Sequence, residues 1–158
     1  MFSKKFLVTW LFMLLPLNVS AATVEGILAQ QQPPDGVVFE IIEDSKKDLN
    51  WAIPRVREDT KRLRAKFPDL AIAVVSHGRE EFGLTREEAK KRPEVHEMVK
   101  DLSDNLNVPV HVCATHASWY DVSPEEFPDY IEVSESGPAQ INDYIALGYV
   151  LVIVSKPE

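Results

Sequence analysis

Three side chains able to act as a nucleophile, a base or a metal ligand lie near the ends of two apolar segments. Cys113 is the only cysteine in the chain; it ends the apolar run 108–113, and His116 follows three residues later. His77 lies just beyond a second apolar run, 70–75. A thiolate is a nucleophile and a metal ligand, and a nearby imidazole favours the thiolate or joins it at a metal. These residues are therefore candidates either for a reactive thiol or for metal binding by His77, Cys113 and His116.

Strand and helix patterns alternate along the chain around these residues. The segments 70–75 and 149–154 are apolar on both faces, as the buried strands of a parallel sheet are. Helical segments separate the strands, so the connections are predicted to be βαβ crossovers. The sequence thus predicts an α/β fold, a three-layer α/β/α sandwich with a five-stranded, mainly parallel sheet. The predicted strands are 37–42, 70–75, 108–113, 130–133 and 149–154, and the predicted helical regions are 45–67, 85–105 and 136–147. Pro93 is expected to divide the second helical region, and Gly148 is expected to end the third as its C-cap.

The carboxyl ends of these strands define the candidate site, because ligands of open α/β sheets bind there. Cys113 is the candidate catalytic residue. His77 can approach Cys113 only if the second and third strands are neighbours in the sheet. The candidate binding residues follow the second, third and fourth strands, and they are His77, Gly78, His116, Ser136 and Gly137.

Structural roles for several of these residues stay open at this point. A free cysteine is often a buried, small apolar residue, so Cys113 is such a residue, one half of an intermolecular disulfide, or a reactive thiol. The small and polar residues that follow it favour an accessible, reactive thiol. His111 points to the same side of its strand as Cys113 and is expected to be a structural histidine. His96 lies between charged residues on a predicted helix and is expected to be exposed. Trp119 and Tyr120 either form the wall of a pocket or pack under the loop after the third strand, and packing under the loop is expected.

Four short pieces, in this order and spacing, resemble the DsrE/DsrF family. The resemblance covers residues 37–158, and it implies a compact α/β/α domain that assembles as trimers or hexamers. Several family members carry sulfur as a persulfide on a cysteine that ends a strand, and Cys113 is similar in position. Family members often have Arg-Gly after the cysteine loop, whereas this chain has Trp-Tyr-Asp at 119–121. The four pieces are Val-Val-Ser-His-Gly at 74–78, Val-His-Val-Cys-Ala at 110–114, Ser-Gly-Pro-Ala-Gln-Ile at 136–141 and Gly-Tyr at 148–149.

The leading functional hypothesis is therefore a sulfur carrier or sulfurtransferase that holds sulfane sulfur as a persulfide on Cys113. The resemblance implies a homo-oligomer, with a trimer favoured, and a protein that donates or accepts sulfur. The alternative is a non-catalytic module that binds a small ligand or a metal through His77, Cys113 and His116. No organic cofactor is predicted, since the loop after the second strand has a single glycine and cannot form a glycine-rich phosphate loop.

The first 21 residues have the pattern of a secretory signal peptide. Lys4 and Lys5 precede the apolar run 6–17, which is shorter than the roughly 20 residues that a membrane-spanning helix needs. Val-Ser-Ala at 19–21 places small residues at the −3 and −1 positions of a cleavage site. The sequence therefore predicts a periplasmic or otherwise exported protein.

The remaining chain is predicted to be a flexible lead-in at 22–36 followed by a single domain at 37–158. Gln and Pro dominate the end of the lead-in, and no later apolar stretch is long enough to span a membrane. The formal net charge is −8. Because an acidic surface repels phosphate backbones, nucleic acid is not expected to be a partner.

Overall fold

The structure is a computed structural model, and it describes residues 21–156. The predicted signal peptide lies outside the described residues, except for Ala21. Among the described helices, none combines the length and the apolar composition needed to cross a bilayer.

Five parallel strands form one sheet in the order β4-β3-β2-β1-β5. Helices cover both faces, so the predicted α/β/α sandwich with a parallel sheet is confirmed. β2 and β3 are neighbours in the sheet, as is required for His77 to approach Cys113. The strands are β1 (Gly36–Ile41), β2 (Ala71–Ser76), β3 (Val110–Cys113), β4 (Glu132–Ser134) and β5 (Tyr149–Ile153).

The α-helices lie between these strands along the chain, apart from the first, which precedes β1. A 3₁₀ helix at Arg79–Leu84 follows β2 and supplies several residues of the candidate site. The predicted helix at 85–105 is interrupted, and Pro93 begins its second part, as its position in the sequence suggested. The helices are α1 (Val24–Leu28), α2 (Leu49–Lys66), α3 (Arg86–Ala89), α4 (Pro93–Lys100), α5 (Ala114–Ser118) and α6 (Gly137–Ala146).

The two faces of the sheet bury different side chains, because successive residues of a strand point to opposite sides. Phe39 and Ile41 of β1 belong to the larger core, which includes buried residues of α2 and α4. Val38 of β1 belongs to a smaller core on the other face, where it meets Ile141 of α6. Side chains at the sheet's carboxyl end on this second face therefore lie on the side that α6 covers.

The prediction of a flexible lead-in at 22–36 is wrong for its first part, where a short helix packs on the domain. Thr23 caps α1 by accepting a hydrogen bond from the backbone of Gly26, and Val24 and Ile27 are buried against the larger core. The backbone N–H of Ala22 donates to the carbonyl of Leu151 in β5, at 2.7 Å. Apolar residues spaced three apart on one face of α1 give this segment a packing surface. The Gln-Pro composition that follows masked that pattern in the sequence.

Gly148 closes the turn after α6, as predicted for a helix-ending glycine. Its φ of +88° lies in the left-handed region that side chains disfavour. A Cβ atom at this position would also lie 2.2 Å from the Asp35 carboxylate. This turn leads into β5 and fixes the start of that edge strand.

Candidate functional site

The carboxyl ends of β2 and β3 place His77 and Cys113 side by side. The strand register pairs Ser76 with Val112, so the next residues, His77 and Cys113, occupy adjacent positions. Neighbouring strands run about 4.8 Å apart, which sets the scale of this approach. The observed strand order therefore agrees with the prediction that these two side chains can approach each other at the carboxyl end of the sheet.

Cys113 is buried, with 4% of its surface exposed, so the expectation of an accessible thiol is wrong for this conformation. Its Sγ accepts a hydrogen bond from the backbone N–H of His116, at 3.4 Å, and thereby caps α5. Its own backbone N–H donates to Oε2 of Glu81, at 2.8 Å. The thiol was expected at an open strand end, but Glu81 of the 3₁₀ helix after β2 and His116 of α5 both contact Cys113 there.

Glu81 joins Cys113 to His116 through a single carboxyl group. Its side chain is fully buried, and Oε1 lies 2.8 Å from Nδ1 of His116. Burial raises the pKa of Glu81 to about 8, and the charge of Glu80 adds to this, while the N–H of Cys113 opposes it. Burial is also the main cause that lowers the pKa of His116, with smaller contributions from the charges of His77 and Arg79. Both shifts favour a neutral pair, in which the protonated carboxyl donates to Nδ1.

The adjacent Glu80 ties the ends of β1 and β2 together. Oε1 accepts hydrogen bonds from the Ser76 hydroxyl at 2.8 Å and from the Gly78 backbone at 3.1 Å, while Oε2 accepts one from the Glu43 backbone at 2.6 Å. Burial raises the pKa of Glu80 despite these bonds. A Cβ atom on Gly78 would lie 2.4 Å from Oε2 of Glu80, so the observed contacts of Gly78 are structural ones.

His77 lies between a carboxylate and the start of α6. Its Nε2 is 2.9 Å from Oε1 of Glu40, and both side chains are largely buried. A Cβ atom on Gly137 would lie 2.6 Å from Cβ of His77, so the glycine allows α6 to approach this closely. Ser136 caps α6 by accepting a hydrogen bond from the Ala139 backbone, at 3.4 Å. The fold thus brings Ser136 and Gly137 to the same end of the sheet as Cys113.

Aromatic rings form the outer rim of the site around His116. Phe82 stacks on the His116 ring with centroids 5.3 Å apart, and Tyr120 lies 5.0 Å from Phe82 and 5.3 Å from His116. Trp119 is 72% exposed and Tyr120 is 47% exposed. The expectation that both would pack under the loop is therefore wrong for Trp119, which only touches His116 at its edge.

The two remaining histidines lie outside the site. His111 is buried and bonded to the hydroxyls of Ser134 and Tyr144, each at 2.9 Å, so its predicted structural role is confirmed. His96 was expected to be exposed, and this is wrong. It is buried on the inner face of α4, with Nδ1 at 2.6 Å from the Tyr130 hydroxyl and Nε2 at 2.9 Å from the Gly83 carbonyl.

Within residues 21–156, no group of three or more His, Cys, Asp or Glu side chains is arranged to hold a metal ion. The two imidazoles proposed as ligands are engaged elsewhere, His77 with Glu40 and His116 with Glu81. The geometry therefore gives the metal-binding alternative no support.

Sequence reasoning missed Glu80 and Glu81, which are the residues that hold the site together. Two adjacent glutamates in a polar-looking stretch suggest a solvated turn, since carboxylates are seldom fully buried. One signal was available in the sequence. The two acids come shortly after the end of an apolar strand, and they directly precede Phe-Gly-Leu at 82–84, an apolar segment that a surface loop does not need.

Comparison with solved structures finds the same fold in proteins of distant sequence. A protein of unknown function from Methanobacterium thermoautotrophicum, MTH1491, aligns with a TM-score of 0.58 and 19% identity over 74% of this chain and 96% of its own. The conserved protein BT1422 of Bacteroides thetaiotaomicron, also of unknown function, gives 0.52 and 11% identity over 76% and 95%. The ychN protein of E. coli gives 0.53 and 12% identity over 75% and 98%.

These similarities establish the fold alone, since all three identities are low. Comparison with protein-family models and with curated proteins finds no match. The chain is thus a five-stranded parallel α/β/α domain similar to conserved proteins of unknown function, and any activity has to be argued from its own site.

Proposed function

We propose that this protein carries sulfane sulfur as a persulfide on Cys113. The observation that carries the proposal is the position of the thiol. It stands at the carboxyl end of β3, caps α5, and accepts the backbone N–H of His116 at 3.4 Å. Backbone N–H groups stabilise negative charge on sulfur, whether the group is a thiolate or a persulfide. The resemblance of the sequence to the DsrE/DsrF family supports the same position for the sulfur-bearing cysteine.

The loading step is a displacement at sulfur. The Cys113 thiolate attacks a sulfane sulfur atom of the donor, a new S–S bond forms, and the donor's own S–S bond breaks. The departing fragment leaves with the electron pair of that bond, so no external oxidant is needed. Glu81 contributes by fixing the backbone of Cys113 and the imidazole of His116 from one buried position.

Release of the sulfur requires an acceptor outside the chain. Cys113 is the only cysteine, so no second thiol in the same chain can form an internal disulfide and expel the sulfur. Burial of the thiol also slows its oxidation, because reactivity toward oxidants follows exposure. A buried single thiol that keeps its sulfur until a partner or a small thiol removes it suits a carrier better than a hydrolase.

A cyanide assay tests whether the chain holds transferable sulfur. Reduced protein is incubated with polysulfide, freed of excess reagent, and treated with cyanide, which removes sulfane sulfur as thiocyanate. We expect about one thiocyanate per folded chain, since one thiol accepts one sulfane sulfur. Cys113→Ser should give only background, while Ser103→Ala, on the distant segment after α4, should match the unmodified protein. Equal thiocyanate from Cys113→Ser and the unmodified protein would overturn the proposal.

A further inference from the structure

A basic pocket lies beside the candidate site in a chain that is acidic as a whole. We use this name for a cavity of about 300 Å³ whose lining includes Lys46, Lys47, Arg79 and Arg92. Asp44 is the one acidic residue in the lining, whereas the complete chain has a formal net charge of −8. Cationic side chains from three separate segments therefore converge on one small cavity against the overall charge of the protein.

Neighbouring carboxylates neutralise only part of this charge. Glu88 pairs with Lys46 and with Arg92, each at 3.1 Å, and it also receives Lys91 at 3.4 Å. Lys91 is itself paired with Glu87, at 2.6 Å, so among the cations that line the pocket Glu88 faces two, Lys46 and Arg92. In the part of the chain that the structure describes, Lys47 and Arg79 form no salt bridge, and both are exposed. These two cations remain available to an anion that enters the pocket.

Two residues connect the basic pocket to the surroundings of Cys113. Phe82 lines the pocket and stacks on the His116 ring at 5.3 Å. Arg79 lines the pocket too, and its guanidinium lies over the ring of Tyr120, which also contacts His116. The charge of Arg79 reaches His116 strongly enough to help lower the pKa of that imidazole. The pocket therefore adjoins the residue whose backbone N–H donates to the Cys113 thiol.

We propose that the basic pocket binds the oxyanion end of a small anionic sulfur donor of the thiosulfate class, and so presents its sulfane sulfur to Cys113. This inference rests on the proposed sulfur-carrier function and names its substrate class. Guanidinium and ammonium groups are the protein's usual partners for compact oxyanions. A longer or bulkier anion is disfavoured, because the cavity is small and its lining includes the aromatic ring of Phe82.

The reaction with such a donor balances without a further reactant. The Cys113 thiolate attacks the outer sulfur of thiosulfate, the new S–S bond forms on Cys113, and the S–S bond within thiosulfate breaks. Sulfite leaves with the electron pair, so the thiolate and thiosulfate become a persulfide anion and sulfite. The leaving group is itself an oxyanion, and the cations of the pocket stabilise it as its charge develops.

Binding can be measured separately from chemistry in the Cys113→Ser protein, which cannot accept sulfur. Thiosulfate is titrated at low salt while amide NMR shifts are followed, and sulfite is titrated as the product. We expect saturable shifts around residues 44–47 and 79–82, and a Kd raised about tenfold by Arg79→Gln or by Lys47→Gln, the loss of one ion pair of about 1.4 kcal/mol. Arg86→Gln is the matched control, because Arg86 is an exposed arginine that pairs with Asp129 away from the pocket.

Comparing persulfide formation from thiosulfate with alkylation of Cys113 distinguishes recognition of the anion from general access to the thiol. Arg79→Gln should raise the thiosulfate concentration needed for half-maximal persulfide formation about tenfold. The same variant should leave the rate of Cys113 alkylation by neutral iodoacetamide within about twofold, since no charge is recognised there. Equal losses with both reagents would overturn the proposal, because they would show that Arg79 only supports the structure.

Different results would contradict thiosulfate binding in the basic pocket and the sulfur-carrier function of Cys113. If polysulfide loads Cys113 but thiosulfate neither binds Cys113→Ser nor loads the unmodified protein, the anion proposal is overturned and the carrier function stands. If thiosulfate binds but no donor loads Cys113, delivery to the thiol is overturned together with the carrier function.

Discussion

Replacing Glu81 with glutamine is expected to raise the free energy of unfolding above that of the unmodified protein. This gain should be about 3 kcal/mol larger at pH 8 than at pH 5. Glu81 is fully buried, and burial raises its pKa to about 8 from 4.5. Between these two values the unfolded chain releases a proton that the folded chain retains. The favourable contribution of the protonated carboxyl is therefore complete below pH 4.5 and is lost as the pH rises toward 8.

Glutamine keeps the shape and the neutral charge of the protonated side chain, but it has no proton to lose. The histidines act in the opposite sense, because burial lowers the pKa of His96, His111 and His116, and so reduces stability as the pH falls through 6.5. Both proteins contain these histidines. The difference between their unfolding free energies therefore isolates Glu81 better than either curve alone.

Urea unfolding of both proteins at several pH values between 5 and 8 measures this difference. Glu97→Gln is the matched control, because Glu97 is an exposed glutamate on α4 and the same substitution there removes a surface carboxyl group instead of a buried one. A Glu81→Gln curve parallel to that of the unmodified protein would show that Glu81 is ionised in the folded state across this range, and would contradict the neutral Glu81–His116 pair.

Alkylation of Cys113 by iodoacetamide is expected to be about 100-fold slower in the folded protein than in urea. Only 4% of the residue is exposed, so the reagent reaches the sulfur mainly when the structure around Cys113 opens locally. A 100-fold protection corresponds to a local opening free energy of about 2.7 kcal/mol, well below the stability of a whole domain.

The rate of mass increase after addition of iodoacetamide, with and without urea at one pH, gives this protection factor. Protection near the value for global unfolding would place Cys113 in the permanent core and contradict a functional thiol. Equal rates in the two conditions would contradict the burial of the thiol. An intermediate value fits a thiol that is shielded between turnovers.

The sheet could be predicted from the sequence because its strands are marked by residue type. The run 70–75 is apolar at every position, which is typical of a strand covered on both faces. Gly148 marked the end of α6 for a similarly local reason, since its φ of +88° suits glycine. The α1 segment escaped prediction, because five residues are too few to show a helical period beside a Gln-Pro stretch.

The site could be predicted only as far as strand ends define it. Cys113, His77 and His116 were placed together because parallel strands end at one edge, which is a property of topology. The burial of Glu81 depends on how the chain folds back after β2, and no local sequence pattern predicts that path. His96 shows the same limit, since the hydroxyl of Tyr130 that satisfies it comes from a residue 34 positions away.

The intact mass of the folded protein after incubation with polysulfide tests the central claim most directly. The reduced chain should gain about 32 Da, the mass of one sulfur atom on one nucleophilic thiol, and a thiol reductant should reverse the gain. Cys113→Ser should show no such gain under the same conditions. If the folded protein keeps its original mass while the urea-unfolded chain gains sulfur, Cys113 is a core residue and the sulfur-carrier function is contradicted.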